Sequence, residues 1–222
     1  MVKQIRSRKD VHNGPSSSSS RPRTIGIIVE CGPDGADKKV TEYLAGRVVP
    51  GVQHSCITLD NKPQLIDRCG ATAAELLAQG CVGVIIVWDL HPAWRIKREP
   101  PCRRTDRELI TASLVAAGVP LARAHLVCVS EELEAWLLAD GRAVSSVLST
   151  AAHAVRIASE SRPDRVRAPK TKLNRIFQQN MHTTYVDRYH AIKIVQALPD
   201  LNRIQRSESF RRFAERVQRI AS

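Results

Sequence analysis

Glu30, Asp89, His91 and Glu134 carry the chemical promise of this chain, because each stands where a run of branched apolar residues gives way to charge. TIGIIVE (24–30) ends in Glu30, CVGVIIVWDLH (81–91) ends in Asp89 and His91, and ARAHLVCVS (122–130) runs directly into Glu131, Glu132 and Glu134. Carboxylates gathered at one spot repel and raise one another's pKa unless a cation sits among them, and oxygen ligands with a water shell suit Mg²⁺ or Mn²⁺. Asp89 and His91, two apart in extended backbone, point to the same side as a pair of ligands would. The ordinary alternative for His91 is a loop histidine before Pro92. Glu134 lies at the mouth of the apolar run AWLLA (135–139), and a carboxylate buried there needs a partner, either a metal ion or a cation such as Lys170.

The turn CGPDGAD (31–37) gives Glu30 its setting. Asp34 and Asp37 either cap the following helix, the commoner role for such residues, or add acid to the site. The turn lacks both GxxxxGK[ST] and GxGxxG spacing, so it is no phosphate-cradling loop. In SEELEAWLLAD (130–140) acids at a helix start also complement the helix dipole, with Ser130 as cap. RIKREPPCRRTDR (95–107) places Arg95, Lys97, Arg98, Arg103, Arg104 and Arg107 close behind Asp89. With Lys170 of the APK segment, these are candidate phosphate-binding residues; a solvated basic crossover is the plain alternative. Trp88 and Trp94 read as packing residues, either of which has a face for stacking on a base.

The elements required to position these groups are legible from hydrophobic period. Strands are expected at 24–30, 54–60, 81–91 and 122–130, and helices at 36–49, 63–80 and 106–118 with another opening at 131–140. The run at 81–91 is apolar on both faces, as befits the middle of a parallel sheet. This alternation predicts an α/β domain over 24–150 with a mostly parallel four-stranded sheet whose strand ends share one edge. After residue 150 strand signals stop; helices are expected in TKLNRIFQQN, from Thr183 to Leu198, and in SESFRRFAERVQRI. Phe210, Phe213, Val217 and Ile220 fall on one face of the last, so 151–222 reads as a basic helical extension docked on the same domain. Residues 1–23, with SSSSS at 16–20, have no apolar period and read as a disordered basic tail.

The net charge of +12 divides into +5 for 1–23, −2 for 24–150 and +9 for 151–222. A slightly acidic middle between basic arms suits a metal site beside a surface for a polyanion, and makes nucleic acid the expected partner. No apolar stretch approaches the roughly 20 residues that span a bilayer. The six cysteines form no CxxC pair, and several sit in apolar runs, as in a reducing compartment. A soluble, cytoplasmic protein with no membrane partner is expected.

VECGPDGAD, VWDLHPAW, ELEAWLLAD, APK and SFRRF, spread over residues 24–220, resemble the bacterial DUF4276 proteins. More broadly, they resemble the Toprim fold of topoisomerases, primases and OLD-type nucleases. The resemblance implies a Toprim-like sheet and Mg²⁺-dependent phosphodiester chemistry, with Glu30 as general acid or base and Asp89 as metal ligand. His91 stands where such a site has its second aspartate, and imidazole favours Mn²⁺ or a later transition metal. Glu134, with Glu132, would supply the missing negative charge. The function implied is a metal-dependent nuclease of bacterial defence or DNA metabolism beside an ATPase partner. The alternative is an inactive nucleic-acid-binding or adaptor module.

Overall fold

The computed structural model describes residues 23–91 and 100–222. The tail, apart from Arg23, therefore lies outside the described residues, as do Trp94, Arg95, Lys97 and Arg98. The fold is α/β: four parallel strands, β1 (Thr24–Val29), β2 (Gln53–Thr58), β3 (Gly83–Asp89) and β4 (Ala124–Val129), lie in the order β2-β1-β3-β4. The crossover helices are α1 (Ala36–Val48), α2 (Lys62–Ala78) and α3 (Arg103–Ala116). Strand order reverses direction between β1 and β3, which opens a crevice at the carboxyl ends of those two strands. Glu30 and Asp89 stand at those two ends.

Two apolar layers sandwich the sheet. Ile25, Ile27, Val29, Ile85 and Val87 pack on one side; Ile28, Val84, Ile86 and Trp88 pack on the other, against Leu65 and Leu76 of α2 and Ile110 of α3. This is the period-two alternation of a sheet buried on both faces. The first layer extends into the C-terminal helices α6 (Pro169–Met181), α7 (Asp187–Gln196) and α8 (Glu208–Ala221). Phe210, Phe213, Val217 and Ile220 are all buried, as their shared face requires. Trp136, fully covered, makes an edge contact with Phe210 at 5.4 Å and donates its indole N–H to Ser209 Oγ at 2.8 Å. Among the described residues no helix is long and apolar enough to cross a membrane.

Three local expectations give way. The helix expected over 131–140 is two, α4 (Glu134–Leu138) and α5 (Gly141–Leu148), because Asp140 turns the chain and caps α5 by accepting from the Arg142 N–H at 3.0 Å. Glu131 and Glu132 thus precede the helix, with Glu131 at φ +66°. Ser130 is no cap; its Oγ accepts a 2.7 Å hydrogen bond from Arg103. The Thr183–Leu198 helix begins only at Asp187, since the preceding residues form the connection that carries Tyr185.

Candidate functional site

The site grows from the ends of β1 and β3. Glu30 follows directly on β1, and Asp89 is the last residue of β3. The two meet through the backbone: Glu30 Oε1 accepts from the Asp89 N–H at 3.3 Å. The other oxygen, Glu30 Oε2, is buried with no hydrogen-bond partner. A buried carboxylate oxygen without a protein hydrogen-bond partner is uncommon.

A tight turn brings a further acid to this edge. Gly35 donates its N–H to Gly32 O at 2.8 Å and approaches so closely that a Cβ there would lie 2.4 Å from Cys31 Cβ. The turn starts α1 at Ala36, with no side-chain cap from either aspartate. Asp34 is exposed, away from the cluster, and Asp37 is the acid that joins it. Its pKa is raised, chiefly by burial, and opposed by its own backbone N–H, the Cys31 thiol and Lys170.

Glu134 reaches the same region from α4 and is only 4% exposed. Its carboxyl is pushed up to about 7, first by burial and then by Glu132 and Asp37, with Lys170 pulling the other way. Glu30 is pushed up to about 8 by burial, held back by Lys62 and raised further by Asp37. Asp89 lies well above the ordinary aspartate range, because of burial and then the charges of Asp37, Glu30 and Glu134. Some surface of Glu30, Asp37 and Asp89 reaches solvent, yet their carboxyl groups are packed round by protein. These are the signatures of several acids forced into one low-dielectric volume.

Two lysines temper that repulsion. Lys62, at the first turn of α2, is 6% exposed and acts electrostatically on Glu30, Asp89 and Asp106. Asp106, on α3, accepts from the Trp88 indole at 3.2 Å, so Trp88 is held edge-on inside the fold. Lys170 pairs with Asp187 at 2.5 Å and offsets Glu134 and Asp37. It is therefore the cation partner that a buried Glu134 needs, with its ammonium committed to acids.

The remaining candidates separate. His91 Nε2 lies 3.4 Å from Glu131 Oε2, and the His91 N–H donates to the Glu131 carbonyl at 2.9 Å, so the imidazole faces Glu131. Glu132 Oε2 accepts the Lys170 backbone N–H at 3.1 Å, satisfying an open donor at the start of α6. Arg103 and Arg104 sit on the first turn of α3; Arg103 is tied to Ser130, while Arg104 is exposed and 3.6 Å from Glu108. By sequence Asp37 stood between helix cap and site acid, with capping the commoner role, and Lys62 was not singled out. The signal for Lys62 was its position just after a strand end, in LDNKP, opening a helix.

A closed metal cage is not formed: among the described residues, no group of three or more His, Cys, Asp or Glu side chains is disposed to hold an ion. Two hard-oxygen carboxylates, one with an unsatisfied oxygen, nevertheless suit Mg²⁺, which takes one or two carboxylates and completes its shell with water and substrate phosphate.

The raised acids predict an unusual pH dependence. Glu30 and Glu134 bind protons more tightly folded than unfolded, from ordinary values of 4.5 to about 8 and about 7. Stability must therefore fall as pH rises through that interval. His125 and His190, whose pKa values burial lowers from 6.5, act oppositely below that value. Acidification from pH 8 to about 6.5 is expected to stabilise the ion-free protein by on the order of 2 kcal/mol. Thermal melts in EDTA across this range check it, and a Tm that falls on acidification contradicts it.

No protein-family model matches the chain, and no curated protein or solved structure matches it either.

Proposed function

We propose that this chain is a divalent-metal-dependent nuclease, or a closely related phosphodiester-processing enzyme, working on nucleic acid at the β1–β3 crevice. One observation carries the reading: Glu30, Asp37, Asp89 and Glu134 converge there with raised pKa values, and one Glu30 oxygen has no partner. Such mutually destabilised acids are an expense that folding alone does not require, and they cluster where chemistry is done.

Glu30 and Asp89 would hold Mg²⁺ or Mn²⁺, with Glu134 and Asp37 adding negative charge around it. The ion, when bound, supplies Lewis-acid polarisation of a phosphoryl oxygen. Glu30, through the oxygen not engaged by the Asp89 N–H, would take a proton from the attacking water. Lys62, whose charge acts on both Glu30 and Asp89, would offer positive charge where the phosphate gathers negative charge. Arg104 and Arg107, exposed on α3, together with the +9 segment 151–222, hold the flanking phosphates. Membership of the DUF4276 group and the Toprim superfamily, a place in bacterial defence or DNA metabolism, and an ATPase partner belong to the same proposal. So does a cytoplasmic setting, which six free cysteines favour.

A specific observation favours a second reading. His91 is engaged by Glu131 and, among the described residues, no three-residue ligand group is formed, as in a nucleic-acid-binding or adaptor module that lacks the reaction. Incubation of supercoiled plasmid with the full chain, with Mg²⁺, Mn²⁺ or EDTA, separates the two. Nicking only in the presence of an ion supports the enzyme; DNA retention without nicking in either ion supports the module. Neither retention nor nicking on DNA or RNA overturns both.

A further inference from the structure

β4 is an edge strand: among the described residues it pairs with β3 alone, so the outward N–H and C=O groups along its other side belong to no ladder. Helix α3 packs against one face of the sheet at this edge and α8 against the other. Between them runs a groove of about 520 Å³, lined by Arg107 of α3, Arg216 and Arg219 of α8, and His125 of β4 beside Leu114 and Leu121. Arg107 and Arg219 are exposed, and Arg216 is half-buried.

These three arginines are uncommitted, unlike their neighbours. Arg123 donates to the carbonyls of Val82 and Cys81 at 3.1 and 2.6 Å, Arg104 pairs with Glu108, and Arg212 pairs with Glu208. Among the described residues, Arg107, Arg216 and Arg219 have no side-chain hydrogen bond and no carboxylate partner. Burial, and then the charges of Arg216 and Arg219, hold the His125 imidazole below its usual range, so both arginines act on the groove from close by. Like charges around one concave space favour an anion there.

Charge complementarity selects the occupant. A second copy of this edge would set arginine against arginine, and the segment 1–23 itself carries +5. A polyanion fits both the groove and what adjoins it. Arg107 lies one turn of α3, about 6 Å along the helix axis, beyond Arg103, which holds Ser130 just past the end of β4. The cationic wall thus leads from the carboxyl edge of the sheet down to the groove. Leu121, 49% exposed, adds apolar surface beside the charges, which suits unpaired bases; a duplex keeps its base faces hidden.

We propose that the groove along the β4 edge binds single-stranded nucleic acid, with Arg107, Arg216 and Arg219 contacting its phosphates. The inference rests on the nucleic-acid part of the reading above, requires no bound ion, and names which of the many basic residues carry the strand.

The test is fluorescence anisotropy of labelled oligothymidylate and oligouridylate with the full chain, in EDTA, over a range of salt concentration. Arg107→Ala/Arg216→Ala/Arg219→Ala is expected to make the slope of log K against log salt shallower by roughly 2, at ~0.7 for each phosphate contact on a single strand, with Tm unchanged. Lysine at the same three positions should keep the parent slope, because the charge is retained. Arg165→Ala/Arg167→Ala/Arg175→Ala, which removes equal charge from exposed sites at and before α6, should change the slope far less. An unchanged slope in the groove variant, an equal change in the α6 variant, or a lysine variant as impaired as the alanine one overturns the groove and leaves the crevice reading standing. Tighter binding of duplex than of single strand, or displacement of the oligonucleotide by polyglutamate more readily than by unlabelled oligonucleotide, overturns the assigned partner. A parent chain that binds neither oligonucleotide overturns the nucleic-acid reading and this inference together.

Discussion

Glu30→Gln is expected to abolish phosphodiester cleavage and, at the same time, to make the ion-free protein more heat-stable. The substitution keeps the shape and the oxygen that accepts from the Asp89 N–H, but removes the charge and the basic lone pair. If Glu30 takes the proton of the attacking water, its loss should lower the rate about 10²–10⁴-fold. Stability moves the other way because burial makes the ionised form costly, which is why its pKa is pushed up to about 8. The gain in Tm should be largest near pH 8 and above, and should shrink toward pH 6, where the parent carboxyl is already protonated. Plasmid nicking and thermal melts on the same preparations supply both readouts. Intact cleavage with a lowered Tm would show that Glu30 serves the fold rather than the reaction.

Gly70→Ala should strike the scaffold as hard as Glu30→Gln strikes the chemistry. Gly70, in the middle of α2, faces α3 so closely that a Cβ would lie 2.1 Å from the Ser113 carbonyl oxygen, and its N–H lies 3.2 Å from Ser113 Oγ. That obstacle is helix backbone and cannot swing aside as a flexible side chain would. The two helices must separate, and with them Lys62 on α2 and Asp106 on α3, which face the crevice. Overpacking of this kind costs about 1–3 kcal/mol, with backbone as the obstacle placing it at the upper end, a fall in Tm of roughly 10 °C for a chain of this length. Ser113→Ala, which removes only the hydroxyl, should cost far less. Equal Tm values for Gly70→Ala and the parent would mean that α2 and α3 are further apart in solution.

These outcomes bear on how function and stability divide within the fold. The crevice keeps four acids at a common edge against their mutual repulsion, and the covered sheet with its two apolar layers tolerates that strain. Lys62 and Lys170 relieve part of it. A divalent ion would relieve more, so added Mn²⁺ should raise Tm most at the higher end of the pH range, where the carboxyls have lost their protons.

Much of this was written in local pattern. Branched apolar runs of six or seven residues separated by amphipathic stretches favour parallel strands and crossover helices, because TIGIIV and GVIIVWD are rich in branched residues and too short for a buried helix. The same pattern placed Glu30 and Asp89 at strand ends and Phe210, Phe213, Val217 and Ile220 on one helix face. Nearby chain could not reveal which of two roles an acid takes when both satisfy local rules. Asp37 reads as well as a helix-start acid as it does as a site acid, and only its burial among the charges of Asp89, Lys170 and Asp187 selects the second. Glu132 and Ser130 went the other way, captured by the Lys170 backbone N–H and by Arg103 from remote segments.

The sequence by itself determined the α/β alternation, the apolar faces and the presence of carboxylates at strand ends, because these follow from periods of two and 3.6 residues acting over short stretches. The tertiary structure alone decided the strand order β2-β1-β3-β4, and so the crevice between Glu30 and Asp89. It also decided the entry of Asp37 and Lys62 and the turning of His91 onto Glu131. Each of these depends on which distant side chains share a volume, and burial and charge act through space without regard to position along the chain.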